Sequence, residues 1–169
     1  MCCPWHSAIF CFDMIRLTRK LTEPSEPDAS VALPLDSRIK SRLRVILNDG
    51  REAGLFLDRG TRLQDGDLLA SDEGFTVRVN AAPEQVSRAD CDDPLLLARA
   101  AYHLGNRHVA LQIEPGLLRY RHDHVLDAML QDLGLAVTLE QAPFEPEPGA
   151  YGGHAGHAQG HSHSHEHQH

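Results

Sequence analysis

The chain has 169 residues, enough to bury a core in one ordinary domain or two small ones. Its 16 Lys and Arg against 24 Asp and Glu leave a formal net charge of -8, which argues against a generic phosphate-binding surface and so against a nucleic-acid partner. Its apolar runs fall short of the ~20 residues a membrane span needs, and the N-terminus lacks a basic stretch followed by a hydrophobic core, so the expected setting is cytoplasmic and not a membrane.

Residues 1–13 (MCCPWHSAIFCFD) differ in composition from the rest of the chain and are read as an appendage of uncertain status, disordered or untranslated. Cys2, Cys3, Cys11 and His6 in that leader leave a metal-binding reading open. With Cys91 alone in the body, the cysteines form neither a spaced disulfide framework nor a CxxC zinc pattern, and the compartment is expected to be reducing.

From Met14 to Val86 the pattern is strands and turns, which predicts a small β-domain over 14–86 with no helix of useful length. Leu43 to Leu47 and Ala53 to Leu57 flank Asn48-Asp49-Gly50, where Asp-Gly suits the positive φ angles of a tight hairpin. Gln64-Asp65-Gly66-Asp67 marks a second turn, and Phe75, Val77 and Val79 then alternate with polar residues as a half-buried strand.

The second domain is expected over 87–150. Asp93-Pro94 offers an N-cap and a first-turn proline, Leu95 to Leu104 an apolar helical face, and Gly105 a C-terminal cap. Val109, Leu111 and Ile113 alternate as a strand, Glu114-Pro115-Gly116 turns the chain, and Leu118 and Tyr120 continue the hairpin. Val125, Leu126, Met129, Leu130 and Leu133 line one face of a second helix ending at Gly134, and Ala136 to Leu139 returns as a strand. With a strand near Gln85 to Ala89 the order is βαββαβ, a ferredoxin-like arrangement, and the fold class is α+β. Beyond Gln141 the chain is rich in Pro, Gly and Glu and has few groups to bury, so 151–169 is expected to be a disordered His-rich tail.

That tail carries the strongest chemical signal. Of 12 histidines, His154, His157, His161, His163, His165, His167 and His169 fall after Gly153. In HSHSHEHQH an extended backbone projects imidazoles to one side about 7 Å apart, and imidazole suits Ni, Cu and Zn without choosing among them. A merely solvating tail is the bland alternative, and an artificial tag fits poorly because the histidines grade into GGHAGHAQG.

His122-Asp123-His124 sits at a strand-to-helix junction, where Asp123 can cap the helix and two imidazoles leave a bend; surface histidines and a metal pair are both open readings. His108 should lie on the strand face of Ala110 and Gln112, off the core. One imidazole cannot satisfy a metal, so a functional His108 implies donors from a second subunit or the tail, and otherwise it is an exposed or hydrogen-bonded histidine. His103 has no spacing that points to a ligand role.

Leu55-Phe56-Leu57-Asp58-Arg59-Gly60-Thr61 with Gly66-Asp67, Asn80-Ala81-Ala82-Pro83-Glu84, AYHLGNRH ending at His108, LQIEPG and YRHDHVLDAML recur in order between Met14 and Tyr151. In these blocks the sequence resembles the UreE family of urease accessory nickel chaperones, departing from it at Asp58, where a proline is common, and in the leader. The resemblance implies a β-domain that binds protein partners, a ferredoxin-like metal-binding domain and a His-rich tail. It also implies that His108 binds metal at the centre of a homodimer and that His122 and His124 form a peripheral pair. The implied task is non-enzymatic: to receive Ni²⁺, with Cu²⁺ or Zn²⁺ possible, and pass it to apo-urease through an accessory complex containing a GTPase. A nickel or zinc buffer without transfer is the near alternative. A metal-dependent hydrolase built on His122-Asp123 fits poorly, because that pair would belong on helices of a larger all-helical domain.

Overall fold

The computed structural model describes residues 14–148; the leader and its cysteines, and every tail histidine from His154 on, lie outside them. The first unit contains β1 (Ile15–Leu21), β2 (Ala29–Leu33), the single-turn α1 (Leu35–Arg38), β3 (Arg42–Ile46), β4 (Glu52–Phe56), β5 (Leu68–Ser71) and β6 (Thr76–Ala81). Its strands form one sheet in the order β2-β6-β5-β1-β4-β3, with β1 and β4, and β2 and β6, paired in parallel. Alternation sets which face is dry: Val77 and Val79 are buried while Arg78 is exposed, and they join Leu17, Leu55 and Leu69 in one cluster. Each such side chain contributes about 1.5–3 kcal/mol on burial.

The β3–β4 hairpin differs from its expected form. Leu47 N–H donates to Arg51 O and Gly50 N–H to Leu47 O, both at 2.9 Å, which leaves a three-residue loop over 48–50. Only Gly50 takes a positive φ, 87°, while the Asp49 carboxylate accepts from Arg51 N–H at 3.0 Å. The extra residue places the left-handed step on glycine alone.

The second unit runs β7 (Pro83–Asp90), α2 (Pro94–Gly105), β8 (Leu111–Glu114), β9 (Leu117–Arg121), α3 (His124–Asp132) and β10 (Ala136–Pro143). The sheet order is β10-β7-β9-β8, and every neighbouring pair is antiparallel. Register puts Ser87 beside Tyr120 and Ala89 beside Leu118; Ala89, Leu118 and Tyr120 pack with Ala100, Leu104, Leu126 and Leu130 of the helices. The alternate residues of β9 make ion pairs instead, Arg119 with Glu140 at 2.7 Å and Arg121 with Glu84 at 2.9 Å. Both helices begin as expected: Asp93 Oδ1 accepts from Leu95 N–H, and Asp123 Oδ1 from Val125 N–H at 2.8 Å. The chain is thus an α+β protein, and no helix among the described residues is long and apolar enough to cross a membrane.

One boundary moves. β7 opens at Pro83, so it crosses the expected limit at Val86 and the passage between sheets falls at Ala82. β10 pairs with β7 as far as Pro143, and the chain after it stays on the second unit as far as Glu147, inside the expected domain. One aromatic is the reason: Phe144 is fully buried, and Glu147 N–H donates to Leu111 O at 2.8 Å.

The two sheets meet at Arg38, 1% exposed at the end of α1. Its guanidinium donates to Leu33 O at 3.1 Å, Leu63 O at 3.4 Å and Phe144 O, and pairs with Glu145. Glu84 adds to the junction by accepting from Leu35 N–H, while Arg121 bridges Asp36 and Glu84. A buried guanidinium is stable here because most of its donors meet an acceptor.

Candidate metal centre

His108 does not sit on a strand. β8 starts at Leu111, and His108 occupies the turn after α2 with φ 56°, the one non-glycine residue at positive φ among those described. Two bonds explain why: Val109 N–H reaches back to Leu104 O (3.4 Å) and His108 N–H to Gly105 O (2.9 Å). This is the Schellman helix end, whose left-handed position usually holds glycine. Gly105 is therefore the last helical residue, not the cap, and the strained position falls three residues later on an exposed histidine. His108 remains off the core, as expected, but through helix-end geometry rather than strand alternation.

α3 closes in the same way, with Leu135 N–H to Leu130 O at 3.0 Å and Gly134 N–H to Gln131 O at 2.9 Å. There the left-handed residue is Gly134, φ 95°. A histidine accepts this conformation more readily than a β-branched residue but still carries the Cβ clash that glycine lacks.

His122 and His124 lie where the sequence placed them, at the exit of β9 and the first turn of α3. Both are exposed as whole residues, yet their surroundings differ. His122 N–H donates to Gln85 O (3.2 Å), and its Nδ1 lies 3.1 Å from both Ser87 Oγ and Asp127 Oδ2. Asp127 in turn accepts from the Tyr120 hydroxyl through Oδ1 at 2.7 Å. Burial, and then the bond to Asp127, push the Tyr120 phenol well above its ordinary range, so it stays a neutral donor. Asp123 uses Oδ1 for the helix cap, accepting from Val125 and Leu126 N–H, so that oxygen is not free to join the imidazoles.

His103 lies on α2 with its ring edge-on to Tyr102, centroids 5.4 Å apart, and lines a shallow groove with Arg107, Val125 and Met129. Cys91, half-buried, donates its thiol to Asp93 O at 3.3 Å. Among the described residues no three His, Cys, Asp or Glu side chains converge tightly enough to hold a metal ion. The structure thus brings His122 together with Asp127 but places no further His, Cys, Asp or Glu cluster around His108 among the described residues. Sequence reasoning missed Asp127, Tyr120 and Ser87. Asp127 stands one helical turn beyond Asp123 and was in principle visible, whereas Ser87 reaches His122 only through the β7–β9 register.

Comparison with known proteins places this geometry in a family. The family model described as UreE urease accessory protein, N-terminal domain, matches residues 14–82, and that for the C-terminal domain matches 84–169. The urease accessory protein UreE of Pseudomonas putida strain W619 is 68% identical over 139 residues, 82% of this chain and 86% of that protein. Those of Alkalilimnicola ehrlichii and Escherichia coli O157:H7 are 59% identical over 140 residues and 55% over 149, covering 83% and 88% of this chain and 86% and 96% of their own lengths. Family models that together span the described residues, and relatives of this identity, mean that the chain belongs to the UreE family of urease accessory proteins.

Proposed function

We propose that this chain is a nickel metallochaperone that binds Ni²⁺ as cargo and hands it to apo-urease through the accessory complex containing a GTPase. The observation that carries the reading is His108, an exposed imidazole kept in a left-handed conformation where glycine would be more stable. A residue that breaks a local rule without a structural gain points to a task outside the fold.

Among the described residues no second metal donor joins His108, so the nickel site is completed by His108 of a second copy across a two-fold axis and by the tail. Chain geometry supports the tail's part. The bond from Glu147 N–H to Leu111 O holds the end of the described chain at β8, three residues from His108. From Pro148 to His154 an extended chain reaches about 20 Å, enough to cover that gap. The later tail histidines, His157, His161, His163, His165, His167 and His169, gather further Ni²⁺, and bind Cu²⁺ or Zn²⁺ by the same imidazole chemistry. His122 and His124 form a peripheral pair. The all-antiparallel order β10-β7-β9-β8 supports a ferredoxin-like reading of this metal-binding unit, and the six-stranded unit is assigned to partner binding.

The test is His108→Ala with nickel stoichiometry, oligomeric state and urease activation measured side by side. The expected result is loss of one nickel per dimer and of activation, with tail binding retained. Full activation by the variant would move the delivery site elsewhere. Normal nickel binding by the wild type without any association with urease accessory proteins would instead favour a buffer.

A further inference from the structure

The surroundings of His122 specify which of its two ring nitrogens faces outward. A carboxylate accepts hydrogen bonds and cannot donate them, so with Asp127 Oδ2 3.1 Å from Nδ1 the shared proton belongs to the ring. Asp127 is itself held in place: its other oxygen accepts from Tyr120, whose ring is fully buried and paired across the sheet with the equally buried Ser87. Ser87 Oγ, also 3.1 Å from Nδ1, supplies a second oxygen on the same side of the ring. Both oxygens therefore lie at Nδ1, the hydroxyl able to accept or donate but the carboxylate only to accept, and the His122 backbone is tied to Gln85. A neutral ring in this setting carries its proton on Nδ1 and its lone pair on Nε2.

We propose that Asp127, braced by Tyr120 and Ser87, is a positioning residue that holds His122 in the Nδ1–H tautomer so that Nε2 is presented to a divalent cation. This rests on the assignment of His122 to the peripheral metal pair and adds to it an order within the pair. His122 is set in advance by a carboxylate behind it. His124, which has no such carboxylate behind it among the described residues, rotates to follow. Ligating histidines whose second nitrogen donates to a carboxylate gain orientation and basicity, and loss of that partner weakens binding about 10- to 100-fold.

The full-length protein, free of metal, is examined by ¹⁵N-resolved histidine NMR, with His122 assigned by difference from His122→Ala and Zn²⁺ used as a diamagnetic probe. The wild type should show the Nδ1–H tautomer at His122 and a Zn²⁺-dependent shift of its Nε2. Asp127→Ala should lose the tautomer preference and need roughly 10- to 100-fold more Zn²⁺ to shift His122. Asp127→Asn, whose amide oxygen can accept the same proton, should keep the tautomer and recover most of the affinity. A wild-type His122 protonated on Nε2, or an unchanged tautomer in Asp127→Ala, overturns the positioning role while leaving the metal pair standing. The expected tautomer with no Zn²⁺-dependent shift of His122 overturns the metal pair, and this inference with it.

Discussion

The helices of the second unit end with the same two backbone bonds but different residues at the left-handed position, His108 after α2 and Gly134 after α3. Backbone chemistry therefore does not distinguish the two ends; the side chain does. At Gly134 the residue suits the conformation and a Cβ there would meet open space, so conformational strain alone opposes a larger side chain. At His108 the strain is already present and is tolerated. The contrast separates a position chosen for stability from one that keeps an imidazole despite stability.

The largest expected effect is functional: His108→Gly should abolish urease activation and the one-per-dimer nickel site while the protein unfolds at a higher temperature than wild type. Loss of activity with a gain in stability would tie the imidazole to function. A less stable His108→Gly would show that the histidine has a structural role instead.

A scale for stability comes from the sheet junction. Arg38→Ala leaves three carbonyls and Glu145 without their partner and should cost about 3 kcal/mol in urea unfolding. A cost below about 1 kcal/mol would mean that the two sheets do not depend on this contact.

Next in size, Gly134→His copies the α2 ending onto α3 and should destabilise by about 1–2 kcal/mol with nickel stoichiometry unchanged. The reverse change, His108→Gly, relieves a similar strain but gives the unfolded chain more freedom, worth about 0.4–1 kcal/mol, so its net gain should be smaller than the loss in Gly134→His, at most about 1.6 kcal/mol. If denaturant midpoints moved equally and oppositely in the two variants, the unfolded-state contribution would have been overstated.

The smallest effect concerns acid. Hydrogen bonds from the Thr76 backbone hold the Asp28 carboxyl below its usual range, as those from the Arg51 side chain do for Asp49. A depressed folded pKa means stability that is complete above the unfolded value of about 3.9 and is lost as pH falls through the folded one. Both groups are exposed, so Asp28→Asn should lower stability only slightly at neutral pH and correspondingly flatten the profile below about pH 4.

Much of this could be read before any coordinates. Asp93 and Asp123 cap their helices as their positions imply, because a cap involves a residue and the amides two or three places on. Val77 and Val79 enter the core because alternation on a strand is a local rule. His108 was singled out, but its conformation was not foreseen: Gly105 looked like the stop, and the helix end runs three residues past it into the turn. Phe144 was lost among prolines and glutamates, since one aromatic is too small a signal to show that its segment packs.

By itself the sequence determined the events that close within a turn or along a strand, together with the family motifs and the histidine-rich tail. It could not determine partners whose meeting depends on strand order and register. Arg38 reaches Phe144, 106 positions away, only because β10 lies against β7 and its end passes α1. Ser87, Tyr120, His122 and Asp127 form one network only because β7 pairs with β9 in the register that sets Ser87 beside Tyr120. A one-residue slip would turn Ser87 to the opposite face and leave His122 without that oxygen. The physical reason is that hydrogen bonds act over about 3 Å, whereas the spacing that brings their partners together is decided by the packing of the whole sheet.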